Sequence, residues 1–353
     1  MRIIKKIDNE NHIIEFCNIN KIENFLKKNV SDIDILIIDK ELIKINNIKR
    51  IQKKFSKRCF LLKGNEKIKD LNHFNFMIEK ILKKGIQRKS KLFSIGGGTI
   101  GDLSGFIAST LLRGIDHIMI PSSLLAMVDS SIGGKTGVNS RYGKNLIGTF
   151  YLPKKILISS DFLKTLPLRE LNCGFAEIIK YSFINSGVLR KKLINFKDLD
   201  KSNINEIIKL SVLTKLKYVT DFKEKSGKRN SRAILNFGHT VGHAIENSNY
   251  YNVNVKHGEA IALGMLIELK ISENLKYYRK SSKDMLMLLE KFNLPTNYKK
   301  YLSSKNINIL IKKIMFDKKI LGQYINFIFI DRQGGFVKKI SLKRIKEQLN
   351  NIN

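Results

Sequence analysis

Leu92-Phe93-Ser94-Ile95-Gly96-Gly97-Gly98-Thr99-Ile100-Gly101-Asp102 is the stretch on which the fold turns. A short apolar run, of the kind buried in a parallel sheet, ends in a turn of glycines, and a helix-like stretch follows as far as Arg113-Gly114. Gly96, Gly98 and Gly101 satisfy G-x-G-x-x-G in the strand–turn–helix setting that this pattern requires. Glycine lets backbone N–H groups approach a pyrophosphate, and a helix N-terminus adds a favourable dipole. The pattern points to a nucleotide; the plainer alternative is a tight turn. The acidic ribose partner that usually follows about 20 residues on is missing, since Met119 and Ile120 stand there, so that partner must come from elsewhere.

Around this stretch strands alternate with helices. Asp34-Ile35-Leu36-Ile37-Ile38, Cys59-Phe60-Leu61-Leu62 and Ile118-Met119-Ile120 are further buried-strand runs, and residues 74–84 have helical spacing. Past Pro153 the pattern changes to longer amphipathic stretches near 169–185, 203–222, 236–249, 257–275 and 281–291, with one hairpin-like segment, Ile325–Ile330 followed by Gly334-Gly335. A chain of 353 residues is long for one core. The expectation is an α/β, Rossmann-like nucleotide-binding domain over 1–158, followed by a mainly α-helical domain over 159–353.

Apolar residues make up 43% of the chain, as in soluble globular proteins. No apolar run is long enough for a membrane span; the best, Ile95 to Val128, is broken by Asp102, Arg113 and Asp116. The N-terminus alternates charged and apolar residues without a signal-peptide core, so the expected location is the cytoplasm. Cys17, Cys59 and Cys173 are scattered and odd in number, which fits neither a disulfide framework nor a metal knuckle. The net charge of +34 would suggest a nucleic acid, but the 65 Lys and Arg are spread along the chain among Ile and Asn, with no aromatic-studded basic block. That spread points to compositional bias and to no specific nucleic-acid partner.

Three of the six histidines fall in Asn236-Phe237-Gly238-His239-Thr240-Val241-Gly242-His243 and His257-Gly258-Glu259. Such clustering points to a metal or acid–base site. His239 and His243, at i and i+4, share a helix face. Either both bind zinc, or one is a ligand and the other transfers protons; the plainer alternative is a pair of buried histidines capped by backbone carbonyls. Thr240 stands where the H-E-x-x-H metalloprotease pattern needs Glu. A second glycine loop, Asp129-Ser130-Ser131-Ile132-Gly133-Gly134-Lys135-Thr136-Gly137, ends like a P-loop but has Asp129 where that motif has its first glycine. With Gly143-Lys144-Asn145 it reads as an anion clamp for a phosphate or carboxylate, against a solvated turn lysine.

These segments, with Pro121-Ser122-Ser123-Leu124-Leu125, Leu163-Lys164-Thr165-Leu166-Pro167, Ala176-Glu177-Ile178-Ile179-Lys180-Tyr181 and Leu235-Asn236-Phe237-Gly238-His239-Thr240, resemble the 3-dehydroquinate synthase family in order and spacing. The resemblance implies an NAD- and Zn2+-dependent homodimer, with Co2+ as the alternative metal. It implies conversion of the sugar phosphate 3-deoxy-D-arabino-heptulosonate 7-phosphate to 3-dehydroquinate and phosphate, in the shikimate pathway, by transient oxidation, phosphate elimination, re-reduction and aldol closure. Glu177, His239 and His257 would be the metal ligands, leaving His243 for proton transfer. Asp129, Lys135, Lys144, Asn145, Lys180, Arg232 and Asn236 would meet substrate, with Lys215 and one of Lys318 and Lys319 beside them, and Arg113 would reach the phosphate from the partner subunit. On the cofactor side the resemblance implies Asp39, Glu66, Lys69, Gly98, Gly101, Asp102, Ser122, Ser123, Asp129, Lys135, Lys144, Thr165 and Leu166. The chain departs from the family pattern in a lengthened Asp221–Arg232 stretch, which bears on Lys215 and Glu224, in serines for threonines at 122 and 123, and in an extra residue within Gly64-Asn65-Glu66.

Overall fold

A computed structural model describes the chain apart from residues 9, 186, 221–228, 230, 248–254, 280–281, 318–322 and 353. Glu224, Lys318 and Lys319 therefore lie outside the described residues. The chain divides into two compact units, one built on Met1–Pro167 and the other on Leu168–Val219 and nearly all of the chain after it. The first unit runs past the expected limit at residue 158. Asp161, in the 3-10 turn Ser160–Thr165, accepts a hydrogen bond from Ile19 N at 3.0 Å, and Phe162 is fully buried, so this turn belongs to the first unit and carries Thr165 with it.

In the first unit the order is β1 (Arg2–Ile7), β2 (Glu10–Phe16), α1 (Ile19–Asn29), β3 (Ile35–Asp39), α2 (Asn46–Lys54), β4 (Cys59–Leu62), α3 (Leu71–Leu82), β5 (Lys91–Gly96), α4 (Gly98–Thr110), β6 (Asp116–Pro121), β7 (Lys135–Ser140), β8 (Gly143–Phe150) and β9 (Lys155–Ile158). Seven strands make one sheet in the order β1-β2-β9-β6-β5-β3-β4, parallel throughout except for the β1–β2 edge hairpin. Ile35, Leu36, Ile37 and Ile38 are all fully buried, as a strand covered on both faces demands. Ile100, Leu103 and Ile107 of α4 and Met77 and Ile81 of α3 pack with Ile35, Ile37 and Leu92 into one core. The chain passes from β3 outward to β4 and then crosses to β5 on the other side. The carboxyl ends of β3 and β5 thus flank a topological switch point, where doubly wound sheets take their ligands.

The second unit comprises α5 (Leu168–Ile184), α6 (Val188–Ile194), α7 (Lys201–Tyr218), α8 (His239–Glu246), α9 (His257–Asn274), α10 (Lys283–Lys291), α11 (Ser304–Asp317), β10 (Tyr324–Asp331), β11 (Gly334–Ser341) and α12 (Leu342–Asn351). Helix α9 is buried nearly all round, from Ala260 to Leu269, which places it at the centre of the bundle. Its outer residues join Val241, Ala244 and Ile245 of α8, Ile307, Leu310 and Ile314 of α11 and the inner face of the antiparallel β10–β11 hairpin in one core. The Rossmann-like first unit and the helical second unit are the architecture expected from the sequence, as is the late hairpin.

Candidate functional site

Helices α5, α8 and α9 bring Glu177, His239 and His257 together, with one ligand-type atom from each within 4.8 Å of the others. His239 Nε2 lies 3.4 Å and His257 Nε2 3.7 Å from the same oxygen, Oε1 of Glu177. Glu177 is completely buried, and neither of its carboxylate oxygens has a hydrogen-bond partner. The buried ammonium of Lys180, one helical turn on, pairs with it. A buried carboxylate without hydrogen bonds is costly unless something else satisfies it. One carboxylate and two imidazole nitrogens converging on a common point suit a divalent ion with a position left open, so the residues present fit the metal that the resemblance implies.

Glycine is what lets the two histidine helices meet. A Cβ on Gly264 would lie 2.1 Å from Gly238 O and 2.6 Å from Gly242 N, so α8 and α9 touch backbone to backbone. Gly238 itself sits at φ 79, the left-handed turn that starts α8, and no side chain of that turn caps the helix. The cap comes from across the contact: Glu268 of α9, fully buried, accepts from Gly238 N at 2.7 Å and Val241 N at 3.0 Å. The imidazole orientations are fixed as well. His239 Nδ1 faces Phe237 O at 3.1 Å and His257 Nδ1 faces Glu246 Oε2 at 3.1 Å. Burial, then the charge of Lys180 and the two other imidazoles, holds the His239 pKa well below its usual range. Burial also opposes a proton on His257, but the Glu177 and Glu246 carboxylates outweigh it and raise that pKa to about 10.

His243 lies one turn beyond His239, with ring centroids 5.2 Å from His239 and 5.8 Å from His257. A second grouping of ligand-type atoms, His243, Glu246 and His257, therefore shares His257 with the first. Three further cations are nearly enclosed in this unit: Lys180 on α5 at 1%, Lys215 on α7 at 7% and Arg232 at 5% exposure. Arg232 and Asn236 lie on a 3-10 turn, Arg232–Asn236, that leads straight into α8 and packs on both α5 and α7. Enclosed cations of this kind suit an anionic ligand. The sequence reading missed Glu246 and Glu268. Each had a signal: Glu246 is seven residues after His239 and so on its helix face, and Glu268 is a lone acid inside an apolar run.

In the first unit, Gly97 is the N-cap of α4 and offers no side chain to cap the N–H groups of the first turn. Asp39, at the carboxyl end of β3 beside it, accepts from Glu41 N at 3.2 Å and Gly64 N at 3.3 Å, and burial raises its pKa. Lys69, itself buried, and the partly buried Asp102 form an ion pair at 2.5 Å, and Glu66 accepts from Asn139 Nδ2 at 2.6 Å. Burial raises the pKa of Asp102 against the pull of Lys69. Ser122 N donates to Gly96 O at 2.9 Å, and Ser123 Oγ accepts from Ala126 N at 3.3 Å, so both hydroxyl residues stand next to the glycine turn. Asp129 closes a turn, Ala126–Ser130, from which the chain passes through the left-handed Gly133 and Gly134. Lys135 and Lys144 are not on loops as the clamp reading supposed; they lie on β7 and β8, an antiparallel ribbon. Asn145 in that ribbon takes φ 56, and its N–H donates to Asn139 Oδ1 at 2.9 Å. Arg113 is also left-handed, at φ 69, in the turn Leu111–Arg113 after α4, and Thr165 Oγ1 donates to Phe162 O at 3.2 Å just before Leu166.

The chain resembles known proteins along most of its length. Residues 59–173 match the model of the 3-dehydroquinate synthase N-terminal domain and residues 174–320 that of the C-terminal domain. A 3-dehydroquinate synthase of Pelagibacter ubique is 39% identical over 332 residues, covering 91% of this chain and 89% of that protein, and one of Alkaliphilus metalliredigens is 41% identical over 80% and 78%. Among solved structures, 2-deoxy-scyllo-inosose synthase with carbaglucose-6-phosphate, NAD+ and Co2+ superposes with a TM-score of 0.83 at 22% identity over 99% of each chain. The 2-epi-5-epi-valiolone synthase of Streptomyces hygroscopicus, with NAD+ and Zn2+, gives 0.78 at 19% identity over 96% of each. At such identities the structures speak for the fold alone. The two family models and the relatives near 40% identity say more, and they place this chain in the 3-dehydroquinate synthase family.

Proposed function

We propose that the protein is a metal- and NAD-dependent phosphorus–oxygen lyase that converts 3-deoxy-D-arabino-heptulosonate 7-phosphate to 3-dehydroquinate and phosphate. The observation that carries this reading is the convergence of His239 and His257 on the buried Glu177, whose oxygens accept no hydrogen bond, within a member of this family. Glu177, His239 and His257 would hold a zinc or cobalt ion. When bound, the ion lowers the pKa of a substrate alcohol and NAD takes up and later returns a hydride.

The remaining work falls to side chains. His243, left out of the ligand set, exchanges protons with substrate at its ring nitrogen. Lys180, Lys215, Arg232 and Asn236 bind and orient the anionic groups of the sugar phosphate, and burial strengthens their attraction. The same reading gives Asp129, Lys135, Lys144 and Asn145 to substrate and Arg113 to the phosphate of a partner subunit in a homodimer. NAD takes the switch point of the first unit: Gly98, Gly101, Ser122 and Ser123 for its phosphates, and Asp39, Glu66, Lys69, Asp102, Thr165 and Leu166 for its adenosine side. The protein works in the cytoplasm. Among the described residues no helix is long and apolar enough to cross a membrane. The +34 charge serves no specific nucleic acid.

Phosphate release from 3-deoxy-D-arabino-heptulosonate 7-phosphate with NAD, with and without a chelator, tests the proposal. Chelator-sensitive, NAD-dependent release with 3-dehydroquinate formed is the expected result. No release by protein that binds both NAD and zinc would overturn it and move the reading to a related cyclase acting on sedoheptulose 7-phosphate or glucose 6-phosphate.

A further inference from the structure

The two candidate ligand sets share His257, so the question the geometry poses is what Glu246 does. Its carboxylate is 8% exposed and reaches His257 Nδ1 at 3.1 Å from the last turn of α8. An ionised carboxylate only accepts hydrogen bonds, so the nitrogen facing it must be the one that carries the proton. In the neutral imidazole, the form that ligates a metal, this leaves the lone pair on Nε2, the nitrogen turned to Glu177. His239 is arranged in the same way with a different acceptor, its Nδ1 facing Phe237 O and its Nε2 turned to the same Glu177 oxygen. Two imidazoles from two helices thus present equivalent nitrogens to one buried carboxylate that lacks hydrogen bonds, while Glu246 is engaged with the opposite edge of His257.

We infer that Glu246 is a positioning residue of the metal centre: it accepts the Nδ1 proton of His257 and so fixes the tautomer and direction with which that residue offers Nε2 to the ion. The inference rests on the metal reading of Glu177, His239 and His257, though not on the identity of the substrate. Carboxylates behind ligating imidazoles typically contribute 10–100-fold to metal affinity, by fixing the ring and raising its basicity.

The test is zinc affinity of the purified metal-free chain, by competition with a chromophoric chelator, for wild type, Glu246→Ala, Glu246→Gln and Glu177→Ala. Glu246→Ala is expected to weaken zinc by about 10–100-fold while still binding one ion at saturation. Glu246→Gln, whose amide oxygen still accepts from Nδ1, should recover most of the loss, and the visible spectrum of the Co2+ form should change in the alanine variant and return in the glutamine one. Thermal unfolding of each metal-free variant separates a lost fold from a lost ligand orientation. Zinc affinity in Glu246→Ala within about threefold of wild type would remove the role. Loss of the bound ion in both Glu246 variants, as complete as in Glu177→Ala, would make Glu246 a ligand and overturn the inference in the other direction. Because these readouts do not involve turnover, a chain that meets them and yet releases no phosphate would refute the proposed activity and leave the role of Glu246 standing.

Discussion

Glu23 in the first unit and Glu177 in the second are both carboxylates taken almost wholly out of water, at 5% and 0% exposure, and they are treated in opposite ways. Glu23 is surrounded: Arg50 grips both oxygens at 2.7 and 2.5 Å, Lys27 adds an ion pair at 2.7 Å, and Asn47 donates at 2.5 Å. It ties α1 to α2 and has nothing left to offer. Glu177 has an ammonium beside it and two imidazoles pointed at it, but no hydrogen bond to either oxygen. A buried charge that the chain satisfies itself is scaffold, whereas one left short of hydrogen bonds beside two converging imidazoles is a place prepared for something else.

Substitution at the two carboxylates should therefore separate binding from stability. Glu177→Ala or His239→Ala is expected to abolish metal content and to lower turnover by at least about a thousandfold, with the metal-free fold retained. His243→Ala should keep its metal and lose turnover, measured by metal analysis beside phosphate release; equal metal loss in His239→Ala and His243→Ala would favour the set that contains His243. The next largest effect concerns stability. Gly264→Ala drives a methyl group into the backbone of Gly238 and Gly242, where no side chain can move aside. A loss of about 3 kcal/mol or more in denaturant unfolding is expected, with weaker metal binding as α8 moves off α9.

How far the sequence could be read follows from the same contrast. Strands β3 to β6 were legible because a sheet covered on both faces requires unbroken apolar runs, and the turn after β5 because its strand–turn–helix passage is written in spaced glycines. His239, His243 and His257 stood out by rarity. His257 was placed with His239 through the resemblance, but the backbone contact of Gly238, Gly242 and Gly264 that brings their helices together is announced by nothing local. The periodicity gave no acid for a ribose, and Asp39 was named only through the resemblance, for a topological reason: it ends β3, an earlier strand that neighbours β5 in the sheet but lies far from it in the chain. The edge strands β1 and β2 and the ribbon of β7 and β8 were not foreseen, because polar, half-exposed strands carry little hydrophobic signal.

Glu23→Ala should leave metal content and turnover intact and lower stability by about 1–2 kcal/mol, since its partner Arg50 is half exposed. The hydrogen bonds from Arg50 are the main reason its pKa is lowered to about 2 from an ordinary 4.5, against the opposing effect of burial. A depressed carboxylate pKa stabilises the fold above the unfolded value and ceases to do so as pH falls through the folded one. The wild-type advantage over Glu23→Ala should thus be full above about pH 4.5 and fade towards pH 2, as read by unfolding at several pH values. An advantage independent of pH would mean that packing, not charge, is what Glu23 contributes.

The smallest effect is expected where a glycine faces a movable side chain instead of backbone. A Cβ on Gly101 would meet the terminal methyl of Met119 at 1.9 Å, and that methyl is the far end of a flexible thioether side chain that can turn away. Alanine in the first turns of α4 also gains about 1 kcal/mol in helix propensity over glycine, which offsets part of the repacking. Gly101→Ala should accordingly change stability by less than about 1 kcal/mol, in contrast to Gly264→Ala. Whether it changes NAD affinity is the sharper question. If the third glycine of the turn serves only the approach of α4 to β6, NAD titration should give nearly the wild-type constant; a tenfold loss would mean that the position of Met119 governs the nucleotide crevice, and that glycine in the first unit is as intolerant of a methyl group as glycine between the histidine helices.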